Sequence, residues 1–410
     1  MIWIYKIGIA LFTVIIKFAS LFNQKAKLFT QGRRNIFEQI SIKIDPSDRP
    51  IWFHFASLGE FEQGRPVLEK IKTINPTQKI VITFFSPSGF EIRKNYSEAD
   101  GIFYLPMDTA SNAKKFLELV NPSIAIFTKY EFWFHYFHQL HQKQIPLYLI
   151  SGIFRPSQAF FKWYGGFNRS ILRCVTHFFV QNEESANLLK GININKVSVN
   201  GDTRFDRVHE NASSPKRLQV IEEFCGSSSI FIAGSTWPAD EKLLHSFSEK
   251  YPNWKLIIAP HEVNEQHIME IEKIFPQAVK FSSLKSQTLD NQAQVLIIDN
   301  IGMLSSLYQY GTVAYIGGGF GAGIHNTLEA AAFGLPVIFG PKYVKFQEAK
   351  DLIAIGAAQS ISNEESLLSA FEHFKMNDKA AAAAANYVVK KKGATDAIIN
   401  LILPSQPKPL

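Results

Sequence analysis

Residues 312–340 read TVAYIGGGFGAGIHNTLEAAAFGLPVIFG. The order is strand, glycine-rich loop, helix, strand. Thr312 to Ile316 is a short β-rich apolar run. Gly317, Gly318, Gly319, Gly321 and Gly323 then free the backbone for positive φ and leave no bulk in a ligand's way. Asn326 fits an N-cap, 328–333 favours helix, Gly334 suits the residue after a helix, and 337–339 reads as the next buried strand. Bare N–H groups leading into a helix N-terminus suit an anion, typically a phosphate. Glu329 lies three residues after Asn326, on the same face of the first turn. Two other readings compete. The stretch can be a βα turn that merely packs well, or a dinucleotide fingerprint, since Gly317, Gly319 and Ala322 match G-x-G-x-x-A. The second fails where a ribose-binding acid is needed, because Gly340, Pro341 and Lys342 stand there.

The rest of the chain agrees with an α/β reading. Its 410 residues favour two domains, and 46% hydrophobic with 19% charged residues allows sizeable cores. A net charge of +7 favours anionic partners. No RNA- or DNA-binding signature accompanies it, so nucleic acid is not expected. The two cysteines, Cys174 and Cys225, make neither a disulfide framework nor a cysteine metal site. No H-E-x-x-H or Walker pattern occurs, so a metal-free, cofactor-free mechanism is the expectation.

Residues 2–22, IWIYKIGIALFTVIIKFASLF, form the most apolar segment. The uncharged run between Lys6 and Lys17 falls short of the roughly 20 residues of a spanning helix, unless both lysines snorkel. Lys25, Lys27, Arg33 and Arg34 follow with no acid before Glu38. An apolar anchor followed by basic residues fits the cytoplasmic face of a membrane. The alternative is a helix buried against the protein.

From residue 51 strands and helices alternate: strands at 51–56, 80–85, 102–105, 124–128, 147–150, 177–180 and 197–199, helices at 61–72, 112–120, 132–142 and 183–189, and SPSGF as a turn. This is the pattern of a largely parallel, doubly wound sheet. Residues 207–228 contain no strand and carry a Ser-Ser-Pro break. The pattern then restarts, with strands at 230–233, 256–259, 295–298, 313–316 and 337–339, and helices near 240–250, 263–273, 302–310 and 326–333. The expected segments are an anchor at 1–40, one Rossmann-like domain at 41–206, a second at 207–385, and a helical segment at 386–410. Such sheets bind ligands at the carboxyl ends of their strands.

Candidates for chemistry follow from that rule. Glu60, in Ser57-Leu58-Gly59-Glu60, ends the first strand and can be a general base, or the acid of a capping box with Ser57. Glu131, in KYEFW, holds the matching place after another strand, with the same two readings. Arg155, Arg204 and Lys342–Lys345 can offset a phosphate charge or be ordinary surface residues. His261, in Ala259-Pro260-His261-Glu262, can touch a ligand or be a structural loop histidine. His54, inside a strand, reads as packed and hydrogen-bonded.

Taken together, IWFHFASLGEF, TFFSPSGFE, KYEFW, FVQNEESANLL, NGDTRFD, AGST, the APH turn and GGGFGAGIHNTLEAAAFGLPVIFGP resemble, in order and spacing, the Kdo transferases. These bacterial inner-membrane enzymes move 3-deoxy-D-manno-octulosonic acid (Kdo) from CMP-Kdo to a lipid A precursor. The resemblance runs nearly end to end. It implies a GT-B glycosyltransferase of two Rossmann-like domains facing a cleft, the first taking the acceptor and the second the donor. It places the base on Glu60. It places donor contacts on Ser235, Thr236, His261, Gly302, Gly319, Gly321, Gly323, His325, Asn326, Glu329 and Arg204, with Arg155 near a loosely kept block. It implies inversion, the cytoplasmic face of the inner membrane, and CMP-Kdo, a lipid A precursor and membrane lipids as partners. The chain departs from the family at Ala259, where many members carry arginine, at Met303, where many carry an acid, and at Ile324 in place of glycine. The competing functions are a UDP-sugar transferase, like lipid A disaccharide synthase or MurG, and a membrane-tethered, non-catalytic nucleotide-sugar-binding protein.

Overall fold

The computed structural model describes residues 1–284 and 293–403. The chain divides into two compact units, one of residues 1–206 with 392 onward, the other of residues 207–391. Each is built on a parallel sheet.

The first unit holds β1 (Ile51–Phe55), β2 (Ile80–Phe84), β3 (Gly101–Tyr104), β4 (Ile124–Thr128), β5 (Leu147–Gly152), β6 (His177–Val180) and β7 (Val197–Val199). Their order is β3-β2-β1-β4-β5-β6-β7. Ile51 pairs with Ile80 on one side and Ile124 on the other. Every residue of β1 and β2 is buried, as expected of strands covered by helices on both faces. One face packs Trp52, Phe116, Phe127, Tyr136 and Phe137; the other packs Phe53, Phe55, Phe61, Leu68, Ile71 and Phe84. The second core is completed from the far end of the chain. Helix Ala394–Ile402 contributes Ile398, Ile399 and Ile402 to it. Asp206 fixes the entry of that helix, accepting from the amides of Gly393 and Thr395 and from the Thr395 hydroxyl.

The second unit holds β8 (Ile230–Thr236), β9 (Lys255–Pro260), β10 (Val279–Lys280), β11 (Val295–Ile297), β12 (Val313–Ile316), β13 (Val337–Phe339) and β14 (Ala358–Ser360). Their order is β10-β11-β9-β8-β12-β13-β14. In both sheets the strand order reverses beside the first strand, between β1 and β4 and between β8 and β12. That is where an α/β sheet opens a crevice at its carboxyl edge.

The structure departs from the sequence reading in several elements. SPSGF is the first turn of helix Pro87–Arg93, with Ser86 accepting from the Ser88 amide. Helix Phe134–Gln142 starts two residues later than expected, where the buried Asp108 accepts from the His135 and Tyr136 amides. Edge strands β10 and β14 carry no apolar run, which hid them. The expected 302–310 helix is a single turn, Leu304–Leu307, and a 3-10 turn, Tyr308–Tyr310. Arg33, expected in a basic stretch facing a membrane, turns inward: its guanidinium donates to the carbonyls of Leu105, Phe29 and Phe85 and lies over the Phe29 ring at 3.6 Å.

The apolar N-terminal segment is one helix, Ile2–Ala19, long and apolar enough to cross a membrane. It nevertheless rests on the first unit along one side. Tyr5 donates to Asp108 at 2.5 Å and packs on Phe134 and Phe167, and Phe12 packs on Phe29 and Phe85. Trp3, Ile4, Ile7, Leu11, Val14, Ile15 and Phe18 point to solvent.

Candidate active site

In the first unit the site forms where β1 and β4 end. Helix Leu58–Ile74 follows β1, with Ser57 at its N-cap. The capping-box expectation is not met: the Ser57 side chain makes no cap bond, and Glu60 reaches past the Ser57 amide, its Oε2 accepting from the Ala56 amide at 2.5 Å. Glu60 is 9% exposed. Burial, and after it the charge of Glu131, push its carboxyl up to about 8, against the Ala56 N–H and Lys129.

Glu131 does not cap a helix. It lies in the loop after β4, and its Oε2 accepts from Trp133 Nε1 at 2.9 Å and meets His54 Nε2 at 3.4 Å. His54 is wholly buried in β1, as its strand position implied, with Nδ1 2.8 Å from Thr83 Oγ1. Arg155 is exposed over the Tyr130 ring at 5.9 Å, beside the same loop. Arg204, expected to serve the donor, is paired within the first unit. Its Nε and Nη2 each lie 2.9 Å from Oδ2 of buried Asp202, which also accepts from Gln63. Burial raises the Asp202 carboxyl, and Arg204 more than offsets this, so it stays below the usual carboxylate range.

In the second unit the expected donor residues gather at the ends of β8, β9 and β12. Trp237, His261 and His325 form a stack, with ring centroids 5.0 Å and 4.2 Å apart in that order. Trp237 Nε1 donates to His325 Nε2 at 3.1 Å. The proton of a neutral His325 therefore sits on Nδ1. Burial, then His261, lower its pKa to about 4, so the ring is uncharged at neutral pH. The His261 amide donates to the Thr236 carbonyl. Thr236 is buried and donates to Glu241, whose other oxygen meets His267 Nε2 at 3.0 Å. Gly302 lies apart on an exposed turn at φ +97°.

The glycine loop differs from its expected form. Asn326 is not the N-cap; Thr327 holds that place before the five-residue helix Leu328–Ala332. Asn326 instead accepts from the Leu328 amide and donates to Glu329 at 3.0 Å. Burial raises half-buried Glu329, against Asn326 and Arg207. Nor are all of the loop amides bare. Gly318 donates to Asp240, Gly321 and Gly323 to the Gly318 carbonyl, and His325 to the Gly317 carbonyl. Two glycines are there for the fold: a Cβ on Gly317 would lie 2.2 Å from the Ser235 carbonyl oxygen, and one on Gly319 would lie 2.6 Å from Gly340. Gly321 alone of the three faces open space, with nothing nearer than 3.5 Å. Lys342 ties the loop from the side, donating to the Gly321 carbonyl at 2.7 Å.

Asp240 was missed in the sequence, and it joins these pieces. It accepts from Tyr315 at 2.6 Å and from the amides of Gly318 and Trp237 at 2.9 Å each. Only its place at the third position of helix Pro238–Lys250, where an acid can bond back to the N-cap amide, could have marked it.

Residues 27–207 match the family described as 3-deoxy-D-manno-octulosonic-acid transferase (kdotransferase). The chain is 28% identical over 327 residues to a 3-deoxy-D-manno-octulosonic acid transferase of Aquifex aeolicus, covering 78% of this chain and 84% of that one. It is 22% identical to the Haemophilus influenzae transferase of the same name, with 95% of each chain covered.

The chain is similar to the Kdo transferases over most of its length, and residues 27–207 carry their family domain.

It is a glycosyltransferase with two Rossmann-like domains of the GT-B type. Among solved structures, UDP-GlcNAc 2-epimerase from Neisseria meningitidis is similar with a TM-score of 0.60 at 18% identity, covering 87% of this chain and all of that one. MurG from Acinetobacter baumannii is similar with a TM-score of 0.51 at 14% identity and the same coverage. These likenesses concern the fold alone.

Proposed function

We propose that this protein moves Kdo from CMP-Kdo to a lipid A precursor, lipid IVA, in one inverting displacement at the cytoplasmic face of the inner membrane. The reading rests on Glu60, a buried carboxylate at the end of β1, at the reversal of strand order, with its proton affinity raised toward neutrality. A group with a pKa near the working pH is suited to accept the proton of an acceptor hydroxyl as its oxygen bonds to the anomeric carbon. The bond from that carbon to the CMP phosphate breaks on the opposite side, and one displacement requires one base. Donor binding falls to the second unit: Ser235, Thr236, His261, Gly302, Gly319, Gly321, Gly323, His325, Asn326 and Glu329. Neutral His325, with its proton on Nδ1, offers a donor without a charge. N–H donors and nearby cations, rather than a metal, would meet the charge developing on the CMP phosphate. Arg204, which the resemblance implies as a further donor contact, is held by Asp202 in the first unit. The apolar face of helix Ile2–Ala19 supports an acceptor embedded in lipid.

Mass spectrometry of lipid IVA after incubation with the protein and CMP-Kdo tests this. The expected result is lipid carrying added Kdo. Transfer only from a UDP-sugar would replace the donor assignment, and CMP-Kdo binding with no transfer to any lipid would make the protein a binder.

A further inference from the structure

Five polar side chains, from the neighbouring strands β1 and β2 and from the loop after β4, form one connected chain. Trp52 Nε1 donates to Thr83 Oγ1 at 2.8 Å, and Thr83 Oγ1 lies 2.8 Å from His54 Nδ1. The other acceptor in reach of the Thr83 hydroxyl, the Phe53 carbonyl, is 3.4 Å away. With Trp52 already donating to Thr83, the hydroxyl hydrogen is best placed on His54 Nδ1. A neutral His54 then carries its proton on Nε2, directed at Glu131 Oε2. Trp133 Nε1 also has two acceptors in reach, His54 Nε2 at 3.3 Å and Glu131 Oε2 at 2.9 Å. The same tautomer sends it to Glu131. One assignment of hydrogens therefore satisfies Trp52, Thr83, His54 and Trp133 together, and it brings two N–H donors onto one oxygen of Glu131. A wholly buried ring with both nitrogens committed cannot reorient without breaking a bond.

We propose that His54 is a positioning residue: ordered by Thr83, it holds the Glu131 carboxylate where its charge acts on Glu60. This rests on the reading of Glu60 as the base. Glu60 takes its raised proton affinity from burial first and from Glu131 next, with Lys129 and the Ala56 amide opposing. Tyr130 is the other titratable group coupled to it, and Arg155 faces Tyr130. Of these contributions, the Glu131 one depends on a side chain that His54 and Trp133 tether. Untethered, Glu131 can turn away, and its field at Glu60 falls with distance.

The test is carbon-13 NMR titration of glutamate side chains in the full chain, with Glu60 and Glu131 assigned from Glu60→Gln and Glu131→Gln. In wild type the Glu60 midpoint is expected near 8, and Glu131→Gln should lower it. His54→Phe keeps the ring's bulk and its packing on Phe127 but removes both polar links. It should lower the Glu60 midpoint in the same direction, and Thr83→Val should do so by less. The acid limb of kcat/KM should move to lower pH by the same amount, with turnover down about 10-fold as the base weakens. His54→Gln, which keeps one donor toward Glu131, should recover part of both. If His54→Phe is unfolded by thermal melt, Thr83→Val decides. An unmoved Glu60 midpoint in the folded variants would overturn the role of His54 even if turnover fell, since a merely structural residue would do that. A wild-type protein with a raised Glu60 midpoint and no Kdo transfer would instead count against the proposed reaction alone.

Discussion

At the residue scale, Glu60 has two separable roles. Glutamine preserves its length and still accepts from the Ala56 amide, but it cannot take up a proton. Glu60→Gln should therefore reduce turnover by ~10²-fold or more with little change in CMP affinity. In the wild type kcat/KM should rise with pH and level off above about 8. The same group predicts a stability effect of opposite sense. The folded state holds the Glu60 proton from the ordinary range near 4.5 up to about 8, whereas the unfolded chain releases it at the lower value. The unfolded state thus binds fewer protons in that window, and stability falls as pH rises through it. Glu60→Gln should raise the melting temperature, and raise it more at pH 8 than at pH 5; an equal change at both pH values would mean that Glu60 is not held protonated. Glu60 and Glu131 were legible because each follows a strand. Their environment was not: His54 meets Glu131 from 77 positions away, and that separation leaves no mark in a local pattern.

At the scale of the element, the loop after β12 was legible as a strand, a run of glycines and a helix, but the reason for the glycines was hidden. It lies in backbone from two other segments, at Ser235 near the end of β8 and at Gly340 just after β13. This separates glycines kept for the fold from one kept open. A methyl at Gly319 would meet the Gly340 backbone at 2.6 Å, which no side-chain motion relieves, so Gly319→Ala should cost about 1–3 kcal/mol in a denaturant melt. Gly321→Ala, with its nearest neighbour at 3.5 Å, should stay within about 0.5 kcal/mol of wild type. If the open side of the loop receives the donor, Gly321→Ala should weaken CMP binding while the melt is unchanged. Equal melts for the two variants would refute the division. The helix after the loop was read too long for a related reason: Asn326 spends its side chain on Glu329 and the Leu328 amide, one residue ahead of the cap.

At the scale of the whole molecule, two runs of strand–helix alternation, the second restarting after residue 228, made two sheets readable. The return of Ala394–Ile402 to the first unit was not, because an apolar helix at the chain's end does not say which core it completes. The N-terminal helix carries the last prediction. Its sequence left open whether it spans a bilayer, lies on one, or is buried against the protein. The structure gives it two sides: one held by Tyr5 on Asp108 and by Phe12 on Phe29 and Phe85, the other a row of Trp3, Ile4, Ile7, Leu11, Val14, Ile15 and Phe18 in solvent. A helix docked along one flank can bury the other in the outer part of a leaflet while lying parallel to it, with Lys6 and Lys17 reaching the headgroups. Ile7→Asp with Leu11→Asp would place two charges on the outward row, where Ile7 and Leu11 are 64% and 57% exposed. The melting temperature should hold, because those side chains support little packing. Flotation with vesicles of bacterial inner-membrane lipid should fall by 10-fold or more, at high salt as well as low. Tyr5→Phe should do the reverse, lowering the melting temperature by loss of the Asp108 bond while leaving flotation intact. A double variant that still floats at high salt would place the membrane contact on another surface, and loss of flotation only at low ionic strength would assign it to the basic residues after the helix.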